Sequence, residues 1–222
     1  MSRWGMVIDL RRCIGCNACT VACKAEHGTP PGIFFTRVLA KEVGTYPAVR
    51  RLYIPVLCNH CQNAPCEEVC PTEATHRQDG GVVLVDSNKC MGCRACYEAC
   101  PYQNRFYLDG GLLSEGYFCG ELTPFEAVKY QGFEKGTVVK CNFCIHRLEK
   151  GLLPACVVTC LTEARIFGDL DDPDSRVSRL IREEGAIQLL PECGTNPSVF
   201  YILPQGFSPL WEDKMWRARV LL

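Results

Sequence analysis

A chain of 222 residues can bury a sizeable core, so its eighteen cysteines are not the staples of a domain too small to have one. The formal net charge of −1 gives no reason to expect nucleic acid or an anionic membrane surface as a partner. No run of about twenty apolar residues is present, so the chain is not expected to span a bilayer.

Residues 1–12 (MSRWGMVIDLRR) lack the apolar region and cleavage site of a signal peptide. The pair Arg11–Arg12 reads as surface charge rather than a twin-arginine signal. Met6–Asp9 is a short apolar run closed by an acid, which predicts a strand. It feeds Cys13, Cys16, Cys19 and Cys23, spaced C-x2-C-x2-C-x3-C. Residues 24–50 include Gly28-Thr29-Pro30-Pro31-Gly32, a turn-rich loop.

The apolar run Leu52–Leu57 precedes a second group, Cys58, Cys61, Cys66 and Cys70, closed by Pro71. Its third cysteine stands two residues later than in the first group. Val82–Asp86 predicts another strand, and Asp86 lies four residues before Cys90 just as Asp9 lies four before Cys13. Cys90, Cys93, Cys96, Cys100 and Pro101 then form the C-x2-C-x2-C-x3-C-P run that binds iron–sulfur clusters in bacterial ferredoxins.

Tyr102 to Lys140 reads as an insertion. Thr123-Pro124-Phe125-Glu126 supplies a cap, a proline at the first helical position and the glutamate of a capping box, hence a short helix. Phe106, Tyr107, Tyr117, Phe118, Phe125, Tyr130 and Phe133 are many aromatics for a solvated loop. They suit either a lid over the cluster loops or a surface for a partner. Thr137–Val139 leads into the fourth group, Cys141, Cys144, Cys156 and Cys160, with eleven residues before its third cysteine. The acids of Gly168–Asp174 read as a capping, solvated turn in preference to a calcium site. Val177, Leu180, Ile181 and Glu184 are at helical spacing, Gly185 closes that helix, and Val199–Leu203 predicts a strand. Trp211, Met215, Ala218 and Leu222 make an apolar stripe in the tail, either core-packed or laid on another subunit.

Sixteen cysteines thus form four groups of four. Pairs two residues apart are poorly placed for disulfides with each other, and zinc ribbons use two pairs rather than runs of three. Three thiolates in one tight loop can grip three corners of a 4Fe–4S cube, while the fourth points to the neighbouring cube. Cys119 and Cys193 lie outside the runs and read as non-ligands. His60 and His146 lie in or beside the cluster loops, as packing residues or as hydrogen-bonding neighbours of the sulfurs.

The groups also repeat in pairs. Groups one and three each follow an acid-ended strand. Groups two and four each end in Cys-x-Thr-Glu-Ala, at Cys70–Ala74 and Cys160–Ala164. Groups two and three form one two-cluster module in sequence, so symmetry assigns groups one and four to another. The expected fold is α+β: two bacterial-ferredoxin-type modules related by internal duplication. One takes residues 1–50 and 137–205 and the other 51–101, with an insertion at 102–136 and a C-terminal helical tail at 206–222.

With LCNHCQNAPC, KCNFCIHRLEKGLLPACVVTC, GDLDDPDS and PECGTNPSVFYI, the chain resembles the four-cluster electron-transfer subunits of the molybdopterin (dimethyl sulfoxide reductase) superfamily over residues 1 to about 203. Within it the chain is most similar to subunits of polysulfide and respiratory arsenate reductases. The resemblance implies four 4Fe–4S clusters. Their ligands would be Cys13, Cys16, Cys19 and Cys160 (cluster 1); Cys58, Cys61, Cys66 and Cys100 (cluster 2); Cys90, Cys93, Cys96 and Cys70 (cluster 3); and Cys141, Cys144, Cys156 and Cys23 (cluster 4). It further implies relay of single electrons between a molybdenum or tungsten bis-pterin catalytic subunit and a membrane quinone-linked subunit or soluble carrier. The chain would have no catalytic residue of its own. Its expected location is the outer face of the cytoplasmic membrane or the periplasm, by export with its partner; the alternative is cytoplasmic. The alternative functions are a free-standing polyferredoxin, or a ferredoxin-like subunit of a hydrogenase or aldehyde oxidoreductase.

Overall fold

The computed structural model describes residues 2–118 and 120–206. Cys119 and all but the first residue of the tail at 206–222, with its apolar stripe, lie outside the described residues.

The chain begins with strand β1 (Trp4–Asp9), five of whose six residues are buried. Helix α1 (Ala18–His27) follows group one and is ended by Gly28, whose left-handed backbone lets its N–H close back on Lys24. β2 (Thr36–Val43) and β3 (Arg50–Leu57) form a two-stranded antiparallel ribbon in register from Thr36↔Leu57 to Val43↔Arg50. Each cysteine group after that is built on one-turn helices: α2 (Pro65–Glu68) in group two and α3 (Ala95–Glu98) in group three. Between them β4 (Thr75–Arg77) pairs with β5 (Val83–Val85).

β6 (Phe106–Tyr107) opens the central segment, α4 (Pro124–Tyr130) lies within it, and β7 (Val138–Val139) closes it by pairing antiparallel with β6. The capping box forms in full at α4. The Thr123 hydroxyl accepts from the Glu126 N–H, while the Glu126 carboxylate accepts from the Thr123 N–H at 2.7 Å. Tyr102, Asn104, Arg105 and Leu108 are buried, so the start of this segment belongs to the core.

Group four is carried by α5 (Ile145–Leu148) and α6 (Ala155–Val158), then β8 (Arg165–Asp169), α7 (Arg176–Glu183), β9 (Ile187–Gln188) and β10 (Val199–Ile202). α7 starts at Ser175, whose hydroxyl accepts the Ser178 N–H, and packs Val177 beneath the sheet. The Gly168–Asp174 acids cap and turn: Asp169 accepts from the backbone N–H groups of Arg3 and Asp171, and Asp172 from that of Asp174.

The main sheet runs β8-β1-β10-β9, with β1 antiparallel to β8 and parallel to β10. A strand entering group one therefore lies against the strand leaving group four. The β4–β5 pair does the same for groups two and three, at the same offset. Ile8 opposes Arg165, and Val85 opposes Thr75. In both pairs one partner stands five residues before a first cysteine and the other five after a fourth. The adjoining hydrogen bonds match as well, Asp9 N–H to the Ala164 carbonyl at 2.7 Å and Asp86 N–H to the Ala74 carbonyl at 2.8 Å. The chain is α+β, with its main core running from β1 through the β3 face to the cysteine loops.

Candidate metal centre

The loop after β1 turns on the Asp9 carboxylate, which accepts from the Arg11 backbone N–H at 3.0 Å and from its guanidinium at 2.8 Å. Gly15 and Asn17 then take left-handed backbone, φ 71° and 59°, so that three cysteines curl around one point. A side chain at Gly15 would meet the Tyr53 ring. α1 follows and buries Cys19 and Cys23, which share a face at i, i+4. Group three repeats the geometry with Gly92 and Arg94 at φ 72° and 62°. Groups two and four use a different loop, Cys-Asn-X-Cys, whose third residue is left-handed: His60 at 43° and Phe143 at 52°. After each fourth cysteine, Glu73 and Glu163 (φ 53° and 51°) swing the chain into β4 and β8.

None of the sixteen cysteines is in a disulfide. Cys13, Cys16, Cys19 and Cys160 rim one cavity together with Arg165, so three cysteines of group one meet the last of group four. Among the described residues, no three metal-ligating side chains converge as they would around a single ion. The electrostatics trace the other associations. Burial pushes the Cys23 thiol up, with Cys156 and Cys144 adding to it. Burial followed by Cys58 pushes Cys61 up to about 12, with Cys100 and Cys66 contributing. Cys141 is raised well above the usual thiol range by burial, then by Cys23 and Cys58. For Cys70, burial is outweighed by hydrogen bonds from Thr75 and Thr72, and its acidity rises. The β4–β5 pairing ties the end of group two, with Cys70, to the entry of Cys90, Cys93 and Cys96.

Buried, crowded thiols such as Cys23, Cys61 and Cys141 resist ionising on their own; a positive cluster core would displace their protons, and its binding free energy would add to the stability of the fold. Soft sulfur donors in sets of four, seven of the sixteen buried, fit iron–sulfur clusters.

Of the polar residues around these sulfurs, His60 and His146 are marked by their place in the cluster loops, whereas His27, Lys140, Arg105 and Arg165 carry no sequence signature. His27 Nε2 lies 3.2 Å from Cys144 Sγ, and burial followed by the His146 charge brings the His27 pKa down to about 4. His146 itself is bound to Glu26 at 2.7 Å. His60 is fully buried, its Nδ1 accepting the Val83 N–H at 3.1 Å. Lys140 is buried and donates to the carbonyls of Val83 and Cys141. Arg105 and Arg165 are buried as well. Cys193, in the turn Pro191–Cys193, is exposed and lies outside the four groups in sequence.

The 4Fe-4S dicluster domain family matches residues 49–120 and 113–170, and the 4Fe-4S binding domain family matches residues 4–25. The chain is 44 % identical over 232 residues to the arsenate respiratory reductase iron-sulfur subunit ArrB of Shewanella sp. (strain ANA-3), covering 92 % of this chain and 97 % of that one. It is 44 % identical over 204 residues to a subunit of the tetrathionate reductase of Salmonella typhimurium, covering 90 % and 72 %. A subunit of the selenate reductase of Mesobacillus selenatarsenatis is 40 % identical over 216 residues, covering 90 % and 72 %. Four-group cysteine architecture, ferredoxin-type domains and relatives across nearly the whole length agree, and the chain belongs to the iron–sulfur electron-transfer (beta) subunits of the molybdopterin oxidoreductases.

Proposed function

We propose that this chain relays single electrons through four 4Fe–4S clusters between a molybdenum or tungsten bis-pterin catalytic subunit and a membrane quinone-linked subunit or soluble carrier. The ligand sets are those named above, each group lending its fourth cysteine to its neighbour. The observation that carries this reading is the cavity rimmed by Cys13, Cys16, Cys19 and Cys160, which supports that exchange. Bound clusters supply one-electron redox chemistry; the residues supply the rest. The cysteine loops hold the sulfurs, the β-pairings fix one group against the next, and buried cations offset the charge. Cys156 is within electrostatic reach of Cys19, and Cys141 of Cys58, which supports the order cluster 1, 4, 2, 3 for the relay.

The equal register of β1–β8 and β5–β4 supports an internal duplication of one ferredoxin module. The catalytic partner is supported by the relatives, which are subunits of arsenate, tetrathionate and selenate reductases. No helix among the described residues is long and apolar enough to cross a membrane. The quinone-linked anchor of this reading is a separate chain. The location that goes with it is the outer face of the cytoplasmic membrane or the periplasm, reached by export with the partner.

The test compares the cluster-loaded chain alone with the chain bound to its large subunit, both given reduced viologen. The lone chain should accept electrons and stop, with no reduction of arsenate, tetrathionate, polysulfide or sulfoxide. Turnover by the lone chain at the rate of the complex would contradict the reading.

A further inference from the structure

Two arginines reach the core among the cysteine groups. Arg105 is 1 % exposed and Arg165 is 3 % exposed. A guanidinium stays charged in a protein, and burying it without a counter-charge is costly. Yet among the described residues neither is paired with a carboxylate. Each has instead a neutral threonine hydroxyl: Arg105 Nη1 donates to Thr75 Oγ1 at 3.0 Å, and Arg165 Nη2 to Thr36 Oγ1 at 2.7 Å. Arg165 Nη1 also points at the Met6 sulfur, 3.9 Å away, and Arg105 Nη2 has no hydrogen-bond partner.

The charge that balances them comes from sulfur. Arg105 is acted on by Cys66, Cys96 and Cys58; Arg165 by Cys156, Cys19 and Cys141, with Tyr201 among them. Cys66 and Cys156 are the third cysteines of groups two and four, and Cys96 and Cys19 those of groups three and one. Each guanidinium is thus within electrostatic reach of the third cysteines of both groups in its module, and Arg165 lines the cavity that holds Cys19. Both arginines lie five residues after a fourth cysteine, but after Cys100 in one module and Cys160 in the other. Those groups are not equivalent in the repeat, so the placement is reached twice by different routes.

We propose that Arg105 and Arg165 each hold one positive charge between the two clusters of a module and raise the reduction potentials of both. The proposal rests on the ligand sets above. A cube held by four thiolates is anionic when oxidised and gains a further negative charge on reduction. A fixed cation beside it in a low-dielectric interior favours the reduced state. Because each guanidinium is shared, its influence should fall on two clusters of the four.

The experiment uses the full cluster-loaded chain, titrated anaerobically and followed by electron paramagnetic resonance. Arg105 and Arg165 are each changed to Met and to Lys. Arg105→Met should shift two clusters at least tenfold toward the oxidised form, about 59 mV for a one-electron couple, and leave the other two in place. Arg165→Met should do the same to the complementary two. Lysine, which keeps the charge, should shift them less than half as far. If a Met variant sheds iron, the neutral Gln variant replaces it in the titration, with the same two-cluster shift expected. A smaller shift, a shift of one cluster alone or of all four alike, or a Lys variant equivalent to Met overturns it. The unmodified chain is a separate check: fewer than four couples there would break the ligand sets, whatever the arginine variants do.

Discussion

The His60 imidazole lies on the Phe143 ring, with centroids 3.8 Å apart and planes inclined by 31°. The two occupy the same position in the two Cys-Asn-X-Cys loops, one in each module. The stack is neutral. Burial, followed by Lys140, Arg105 and Arg77, holds the His60 pKa well below the imidazole range. Phe143 in turn meets Phe167 edge-on at 5.2 Å, so the contact is anchored to β8 and the main sheet. Equivalent loops meeting face to face would bring the clusters proposed to bind through Cys58 and Cys141 next to each other at the centre of the proposed relay.

Truncating that contact should loosen the junction between modules. Phe143 is 1 % exposed, and Phe→Ala in a packed core costs about 3–5 kcal/mol. Phe143→Ala should lower the denaturant midpoint at which cluster absorbance is lost. A variant with an unchanged midpoint would show that the ring stack carries no stability.

In the proposed ligand sets, sharing of the fourth cysteine would couple neighbouring clusters. Cys96→Ala would remove a ligand of cluster 3, and the loop it disorders also carries Cys100, assigned to cluster 2. Iron release to a chelator should therefore accelerate for both. Release confined to one cluster's share of iron would refute the coupling.

Much of this was legible in the sequence because metal ligation fixes spacing. The four groups, the β1 and β5 entries and the acid that turns each into its loop all follow from local chemistry. The α4 capping box did too, since its three partners lie within four residues. Arg105 and Arg165 were not legible, because a single arginine has no periodicity and its burial depends on strands that pair far along the chain. The same holds for residues 102–108, which read as the start of an insertion. The two-residue β6–β7 ladder that draws them into the core has no local signature. The β2 strand was hidden for a related reason: its TRVLAKEV alternation is only half-buried and leans on β3 for its partner.

Cys193 should be dispensable for metal. It is exposed and outside every set, so Cys193→Ala should retain all iron, and Cys119→Ala likewise. Loss of a whole cluster from either variant, measured as iron per chain, would require new ligand sets.

α4 should depend on its first turn. Thr123→Ala removes an N-cap worth about 1 kcal/mol. The Glu126 carboxylate is held below the usual range by the N–H groups of Thr123 and Tyr117 and by the Thr123 hydroxyl. Amide exchange across Pro124–Tyr130 should quicken several-fold in Thr123→Ala while cluster content stays constant. Unchanged exchange would mean that packing alone holds the helix.

The central claim is that four complete, interlocked cysteine sets each bind one 4Fe–4S cube. Iron and acid-labile sulfide, counted in the anaerobically purified full-length chain, test it most directly. About sixteen of each per chain are expected. About twelve, or a three-iron signal that persists under strict anoxia, would contradict it.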